Sequence, residues 1–245
     1  MDNLSFVGLA DIYFRAYGTS TAARAVGSVS QCSVAVDANQ LRQPNFGRDG
    51  GTLNTVERIN AVTVTLTLQS LSKANLAAVL RGTASEISSG TVTDEPVTSG
   101  AQGELIPLAN FNPSSVTVTS SPAGTTYVEG ADYVVSGAGI KTVSGGDIAA
   151  STALLVSYSY SDADVVEALT SGATELSVFF DGLNEAAGNK NALVQLHRVK
   201  LGYPESLDLI GDDFVSMTVT GEVLVDTTKS GAGISKFFNW KHDAS

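Results

Sequence analysis

Strict alternation of apolar and polar residues is the most consistent pattern along this chain. In the run VTVTLTLQ, Val62, Val64, Leu66 and Leu68 occupy every second position and threonines lie between them. That spacing places the four apolar side chains on one face of a pleated strand. Comparable runs occupy residues 4–15, 30–38, 175–182, 192–202 and 214–226. The pattern therefore predicts a mainly β protein.

One segment has helical spacing instead. It reads LSKANLAAVLRG, and it places Leu76, Val79 and Leu80 on one narrow apolar stripe. Ser72 is predicted to cap the start of the helix, and Gly82 is predicted to take the left-handed conformation just after its last turn. A helix with a single apolar stripe is expected to lie across a sheet, so we expect one α-helix flanking the β-structure.

The composition of the chain changes in its middle third, which is rich in Tyr, Gly and Ser. Runs with strand character occur near residues 115–119, 126–135, 139–143 and 153–160, with glycines and prolines at the predicted turns. These features predict a small all-β module, Ig-like in type, at 108–161. The larger β domain is then discontinuous, at 1–107 and 162–245. The stretch EISSGTVTDEPVTSGAQGE just before the module is predicted to be an extended crossing segment.

A polar stretch at residues 39–54, NQLRQPNFGRDGGTLN, lies between two of the predicted strands. It is too long and too polar for a tight hairpin, so it is predicted to be a loop. Loops of this length without regular structure are uncommon in compact domains and usually serve a function.

The charge balance restricts the choice of partners. The 245-residue chain has 14 Lys and Arg against 25 Asp and Glu, a formal net charge of −11. Binding to nucleic acid through the phosphates requires clusters of cations, so this balance argues against it. Residues 1–104, 105–164 and 165–245 have net charges of −2, −4 and −5, which leaves the middle module almost without cations.

Cysteine content and the N-terminal sequence indicate the compartment. Cys32 is the single cysteine, which excludes an intrachain disulfide, and it is expected to be a small buried hydrophobe rather than a reactive thiol. Asp2 lies where a signal peptide would have positive charge, and no apolar run is long enough to cross a bilayer. We therefore expect a protein made in a reducing cytoplasm and not inserted into a membrane.

No catalytic or metal-binding motif is evident. The two histidines, His197 and His242, lie far apart in sequence and support no catalytic triad, and together with Cys32 they are too few for a zinc site. The GDD at 211–213 is better interpreted as a solvated turn than as a cation chelate, and DGLNEAAGNKN lacks the spacing of a calcium loop. The sequence thus predicts no enzyme, no metal and no cofactor.

Three large aromatic residues lie near the C-terminus, in SKFFNWK. Phe237, Phe238 and Trp240 are unusual there, because chain ends lose order unless they are held in place. They are expected to dock either onto the core of their own chain or onto a neighbouring molecule.

The same residues resemble a known family. The pattern VTVT…GTTYVEGADYVV…GI…GDIAASTALLVSYSY is similar to the β module often inserted in the tail tube proteins, or major tail proteins, of long-tailed, siphovirus-type bacteriophages. The flanking SFVGLADIYF, LSKANLAAVLRG, VKLGYPESLDLIGDDFVSMTVTGEVLVD and SKFFNWK are arranged as in the tube domain of that family. The resemblance covers essentially the whole chain.

The resemblance implies a β sandwich or barrel with one flanking helix, whose copies form hexameric rings that stack into a hollow tube. Phage DNA would pass through the lumen without specific binding, and tape measure and tail terminator or tip proteins would be further partners. The inserted module would project outside the tube, and the protein would be part of the virion tail, assembled in the host bacterial cytoplasm.

The resemblance also implies a contact between rings. The stretch 39–54 corresponds in position to the loop of that family that reaches the adjacent ring, and Arg42, Phe46 and Arg48 are our candidates for its contacts. Two alternatives are open at this stage. The loop could fold back on its own subunit, or the whole chain could be a monomeric β-rich adhesin or carbohydrate-binding surface module.

Overall fold

The computed structural model describes residues 8–243, which contain seventeen strands, one α-helix and one 3₁₀ turn. The strands are β1 (Gly8–Ala16), β2 (Arg24–Ala25), β3 (Val29–Pro44), β4 (Thr52–Leu68), β5 (Thr83–Ile87), β6 (Gly90–Thr98), β7 (Leu105–Pro107), β8 (Pro113–Ser120), β9 (Thr126–Tyr127), β10 (Tyr133–Ser136), β11 (Gly139–Thr142), β12 (Ala153–Tyr160), β13 (Ala163–Glu167), β14 (Glu175–Asn184), β15 (Lys190–Pro204), β16 (Met217–Val223) and β17 (Phe238–His242). The helix α1 is Lys73–Val79 and the 3₁₀ turn is Glu185–Ala187. The prediction of a mainly β protein with one α-helix is confirmed for these residues. The start of the predicted run at 4–15 lies outside them.

The chain forms two compact units. The first unit combines Met1–Ala84 with Val166–Ser245, and the second is Ser85–Val165. The chain passes from the first unit to the second within β5 and returns within β13. These two strands pair with each other. The second unit is therefore an insertion, entered and left through paired strands.

An eight-stranded sheet forms the first unit, in the order β2-β1-β14-β15-β16-β4-β3. The eighth strand, β17, pairs with the first half of β15, at Ala192–Leu196, whereas β16 pairs with its second half, from Val199 to Pro204. The same edge of β15 thus pairs first with β17 and then, further along the strand, with β16. The sheet divides at this strand, so that β3, β4 and β16 face β1, β14 and β15 across a common core.

The core of this unit confirms the alternation of VTVTLTLQ. All four apolar side chains, Val62, Val64, Leu66 and Leu68, are at most 2% exposed, and the threonines between them face outward. Apolar residues of β1, β14, β15 and β16 complete the core, namely Ile12, Phe14, Leu176, Val178, Leu196, Val199, Leu201, Met217, Val219 and Val223. Burial of this face fixes the register of β4, because a slip by one residue would turn it to solvent.

Helix α1 begins as the sequence predicts and ends differently. Asn75 donates its backbone N–H to the Ser72 hydroxyl at 3.3 Å, which confirms the N-cap. The left-handed position after the helix is Arg81, with φ 50°, so the prediction of Gly82 at that position is wrong. Glycine is required at 82 for another reason, since a Cβ there would lie 2.5 Å from the carbonyl oxygen of Glu167.

The Asn75 side chain connects helix α1 by hydrogen bonds to the chain just after β2 and just after β4. Its side chain is fully buried, and its amide nitrogen donates to the carbonyl oxygens of Val26 at 2.7 Å and Ser70 at 2.8 Å. Its amide oxygen accepts a hydrogen bond from the Arg24 guanidinium at 2.6 Å. Every polar atom of the Asn75 amide therefore has a partner, as a buried polar group requires.

The inserted unit has seven strands in two antiparallel sheets, β6-β12-β8-β9 and β10-β11-β7, around its own apolar core. Ig-type sandwiches share this two-sheet, seven-strand arrangement. The strand predicted at 126–135 is two strands, β9 and β10, separated by a turn in which Val128 N–H donates to the Asp132 carboxylate at 2.8 Å.

The predicted boundary between 107 and 108 is wrong. Strand β6, placed by the sequence in a crossing segment, pairs with β12, and β7 pairs with β11. The insertion therefore begins at Ser85, not at residue 108. The alternation of β6 was obscured because it is an edge strand with a register irregularity and with Asp94 at φ 57°.

The hydrogen bonds of Asn75 lead to a stability prediction. Asn75→Ala removes the partner of the buried Val26 carbonyl oxygen and of the part-buried Ser70 carbonyl oxygen, and leaves the Arg24 guanidinium only its bond to the Ala74 carbonyl oxygen. We therefore expect the free energy of unfolding to fall by about 2 kcal/mol or more. Urea unfolding followed by circular dichroism measures this difference. Asn54→Ala, at an exposed position of β4, is the control and should change it by less than about 0.5 kcal/mol. Equal effects of the two changes would contradict the role of Asn75.

Candidate self-association surface

Strands β3 and β4 form an exceptionally long antiparallel hairpin, with Val29 opposite Leu68 at one end and Pro44 opposite Thr52 at the other. Strand β16 pairs with β4 only from Thr63 to Leu68. Beyond that point the two strands pair only with each other, and every residue from 37 to 60 is partly or fully exposed. We call residues 37–60 the distal hairpin.

The prediction of a loop at 39–54 is wrong in extent. Residues 39–44 and 52–54 are strand, and the connection is the short tip at 45–51. In the tip, the Asn45 side chain accepts a hydrogen bond from Gly47 N–H at 2.8 Å, and Asn45 N–H donates to the Gly51 carbonyl at 2.9 Å. Both faces of the distal hairpin are solvated, so its sequence lacks the alternation that marks a half-buried strand.

All three residues predicted for the contact between rings lie on the distal hairpin. Phe46 is at the tip, with 93% of its side chain exposed, and Arg48 is exposed beside it. Arg42 lies on β3, where its guanidinium donates to the Gln40 side-chain oxygen through Nε at 3.0 Å and Nη2 at 2.7 Å. This exposure disagrees with the alternative in which the segment folds back on its own subunit.

The distal hairpin also exposes aliphatic side chains. Leu41, Leu53, Val56 and Ile59 are each exposed, and Leu41 lies directly opposite Val56 on one face. Scattered apolar side chains are normal on a surface, whereas a concentration on a projecting hairpin is typical of a contact surface.

Unpaired strand edges lie at both ends of the sheet. Strand β3 pairs with β4 along one edge, and no strand pairs with its other edge among residues 8–243. At the opposite end, β2 covers β1 only at Tyr13 and Phe14. Unpaired N–H and C=O groups in a row are a template for pairing with another chain, so each end offers a docking edge.

An apolar groove of about 350 Å³ opens between β3 and the facing strands β14, β15 and β17. Its lining residues are all apolar or weakly polar: Cys32, Val34, Val36, Val178, Phe180, Val194, Leu196, Phe238 and Trp240. Two of its walls are thus edge strands, β3 and β17, of the two facing layers.

The C-terminal aromatics lie at this groove and at the core beside it. Phe237 and Phe238 pack against the main core, and β17 pairs with β15 from Leu196–Phe238 to Ala192–His242. Trp240 lines the groove and is half exposed. Of the two expected docking modes, the structure places Phe237 and Phe238 on their own core.

The sequence analysis missed a second segment with exposed apolar side chains. The connection between β15 and β16, residues 205–216, contains four carboxylates and no cation, and we call it the acidic loop. Ile210 and Phe214 in it are 97% and 95% exposed, and Leu209 is also exposed. The alternation expected at 214–226 included Phe214, but regular strand begins only at Met217. The combination of acids with large apolar residues in LDLIGDDF was the sequence feature that could have identified it.

A buried carboxylate and a buried histidine lie in the first unit. Tyr17 donates its hydroxyl to the buried Asp226 carboxylate at 2.8 Å, and Thr228 donates to the same oxygen from its backbone N–H and its hydroxyl.

The pKa of His197 lies below its ordinary value, mainly because the ring is buried and secondly because of the Lys229 charge. This shift favours the neutral ring. Among residues 8–243 no group of three or more His, Cys, Asp or Glu is placed to hold a metal ion.

The comparisons with known proteins assign the family. A family model described as "Protein of unknown function UCP028589" matches residues 5–241, so the chain belongs to that family. A search of the curated proteins finds no match to this sequence. None of the helices in the described part of the chain has both the length and the apolar character needed to span a bilayer.

The groove leads to a prediction about Cys32. Burial raises the pKa of its thiol to about 11, and the thiolate is the species that alkylating reagents attack. At pH 8 we expect alkylation of the folded chain to be roughly 100-fold slower than in the urea-unfolded chain, whose thiol has a pKa of about 8.5. The folded-state rate should rise about tenfold per pH unit from pH 8 to 10. Mass spectrometry of the time course measures both rates, and equal rates in the two states would contradict the burial of Cys32.

Proposed function

We propose that the protein is a structural virion protein that polymerises as stacked hexameric rings into the hollow tail tube through which phage DNA is delivered. The observation that supports this most strongly is the distal hairpin, which pairs only with itself and presents Phe46 almost fully exposed at its tip. None of the residues 37–60 is buried in its own subunit. Its exposure is accounted for if a second copy covers it.

The two ends of the sheet support closure into a ring. The free edge of β3 and the poorly covered edge of β1 are different surfaces, so contact between them is heterologous. Heterologous contacts generate rings when the rotation closes and filaments when it does not. The apolar groove adjoins the β3 edge and would be covered by the same neighbour, which adds apolar burial to strand pairing.

The charge of the chain suits a channel for DNA. A net charge of −11 favours walls that repel phosphates, so that DNA moves through the lumen without specific binding. The proposal places the protein in the virion tail, assembled in the host bacterial cytoplasm, with tape measure and tail terminator or tip proteins as its other partners. A monomeric adhesin is the alternative outcome of the tests below.

We predict that the purified protein forms rings or tubes with no added cofactor. Negative-stain electron microscopy and light scattering over a range of concentrations detect these assemblies. Association should increase with concentration, because the exposed edges, groove and hairpin are all covered by other copies. A species that remains monomeric at every concentration would argue for the adhesin.

Phe46 should contribute more to tube length than the arginines beside it. Exposed charge pairs contribute about 0.2–1 kcal/mol each, whereas a buried aromatic anchor can contribute about 2 kcal/mol or more. Phe46→Ala should therefore shorten tubes more than Arg42→Ala or Arg48→Ala, as measured on micrographs. Phe111→Ala, at an exposed position of the inserted unit, is the matched control and should leave tube length unchanged. Tubes of normal length after deletion of residues 42–50 would contradict the stacking role.

The inserted unit should be dispensable for assembly, since it has its own core and the proposed contacts lie on the first unit. We predict that replacing residues 88–162 with a short Gly and Ser linker, which keeps β5 and β13, leaves ring and tube formation intact. Such a result agrees with a module carried outside the tube. If the shortened chain is folded by circular dichroism but no longer assembles, the inserted unit takes part in the ring.

A further inference from the structure

We infer that the acidic loop, residues 205–216, of one copy docks onto the distal hairpin of the next copy in the stack. The inference deepens the proposed function, on which it rests, by naming the partner surface of the hairpin. These two segments have the most exposed large hydrophobic residues of the described chain, Ile210, Phe214 and Phe46, all at least 93% exposed.

The two segments lie at opposite ends of strand β4. The tip of the hairpin precedes Thr52, where β4 begins. At the other end, Leu68 lies opposite Met217, the residue that directly follows the acidic loop. Strands rise about 3.3 Å per residue, so the seventeen residues of β4 separate these ends by about 50 Å.

This placement excludes contact between the two segments within one chain and favours contact between copies. When two copies stack in the same orientation along β4, the hairpin end of one meets the acidic-loop end of the other. The contact is heterologous and repeats from copy to copy, as a tube requires.

The distal hairpin is formally neutral, whereas the acidic loop is strongly negative. The distal hairpin contains three arginines, Arg42, Arg48 and Arg58, against three acids, whereas the acidic loop contains four acids and no Lys, Arg or His. In a chain with a net charge of −11, a contact between two ordinary surfaces would bring like charges together. The hairpin tip is a place where this loop can dock without that repulsion, because Arg42 and Arg48 can meet Asp212 and Asp213.

The apolar side chains provide the second component of the contact. In the acidic loop Ile210 and Phe214 flank the acidic pair, whereas in the hairpin Arg42 and Arg48 flank Phe46. Each segment thus combines large exposed apolar side chains with neighbouring charges, as an apolar anchor beside a polar rim does.

Cross-linking between two single-cysteine chains tests the contact directly. Both chains contain Cys32→Ser; one adds Gln43→Cys in the hairpin, and the other, isotope-labelled, adds Gly211→Cys. Both positions are exposed, and a Cβ at Gly211 meets no atom within 4 Å. The chains are mixed in equal amounts, treated with a short bismaleimide, and the linked peptides are quantified by mass spectrometry.

The matched control replaces Gly211→Cys by Gly124→Cys, an exposed glycine of the inserted unit whose added Cβ makes only ordinary contacts. We expect the 43–211 link to exceed the 43–124 link by about tenfold or more. Equal yields overturn the inference whether or not tubes form. Tubes without the 43–211 link leave the proposed function standing, whereas the link without rings or tubes supports the contact and overturns the proposed function.

Charge reversal provides a second, independent measurement. Arg42→Glu with Arg48→Glu, and separately Asp212→Arg with Asp213→Arg, should each reduce the yield of the 43–211 link at least about fivefold. The chain with all four changes should recover most of that yield, because the pairs are restored with opposite sign. Two outcomes would show that these charges do not meet. Both charge-reversed variants could give the same yield of the 43–211 link as the parent, or the variant with all four changes could recover none of the lost yield.

Discussion

The buried apolar face of β4 is the constraint on which the rest of this structure depends. Its four alternating side chains are almost fully enclosed, and burial of one such side chain contributes about 1.5–3 kcal/mol. That burial anchors only the second half of the strand. The first half continues outward without a core, paired to β3 alone, so the same strand is both the centre of the fold and the base of its projecting hairpin.

The sequence predicted the parts of this fold that are half buried. Alternation identified the strands around the main core, and the N-cap at Ser72 was correct because capping depends on local chemistry. The distal hairpin was predicted as a loop, because a ribbon solvated on both faces has no apolar period. Gly82 was predicted to take the left-handed conformation, whereas glycine is needed there because the Glu167 carbonyl oxygen leaves no room for a Cβ. That contact is with a distant part of the chain, so the local sequence does not indicate it.

The candidate surface was predictable to a similar degree. Arg42, Phe46 and Arg48 lie in an exposed segment, as is usual for a long polar stretch with one large aromatic residue, and their role in a contact between rings stays a prediction. The acidic loop was missed because the run assigned to β16 was started at Phe214 and GDD suggested an ordinary turn. Its significance depends on the pairing of Met217 with Leu68, which puts the loop at the far end of β4 from the hairpin. No local pattern contains that information.

Exposed apolar anchors and a high net charge act in opposite directions on a protein of this kind. Hydrophobic side chains on a hairpin tip favour association with any apolar surface, whereas eleven excess negative charges keep copies apart at long range. That repulsion is weaker at the distal hairpin, because its three arginines offset its three acids. Charge therefore restricts where apolar contact can occur. Salt screens the general repulsion between copies more than it screens a close charge pair, so it should affect the specificity of association more than its strength.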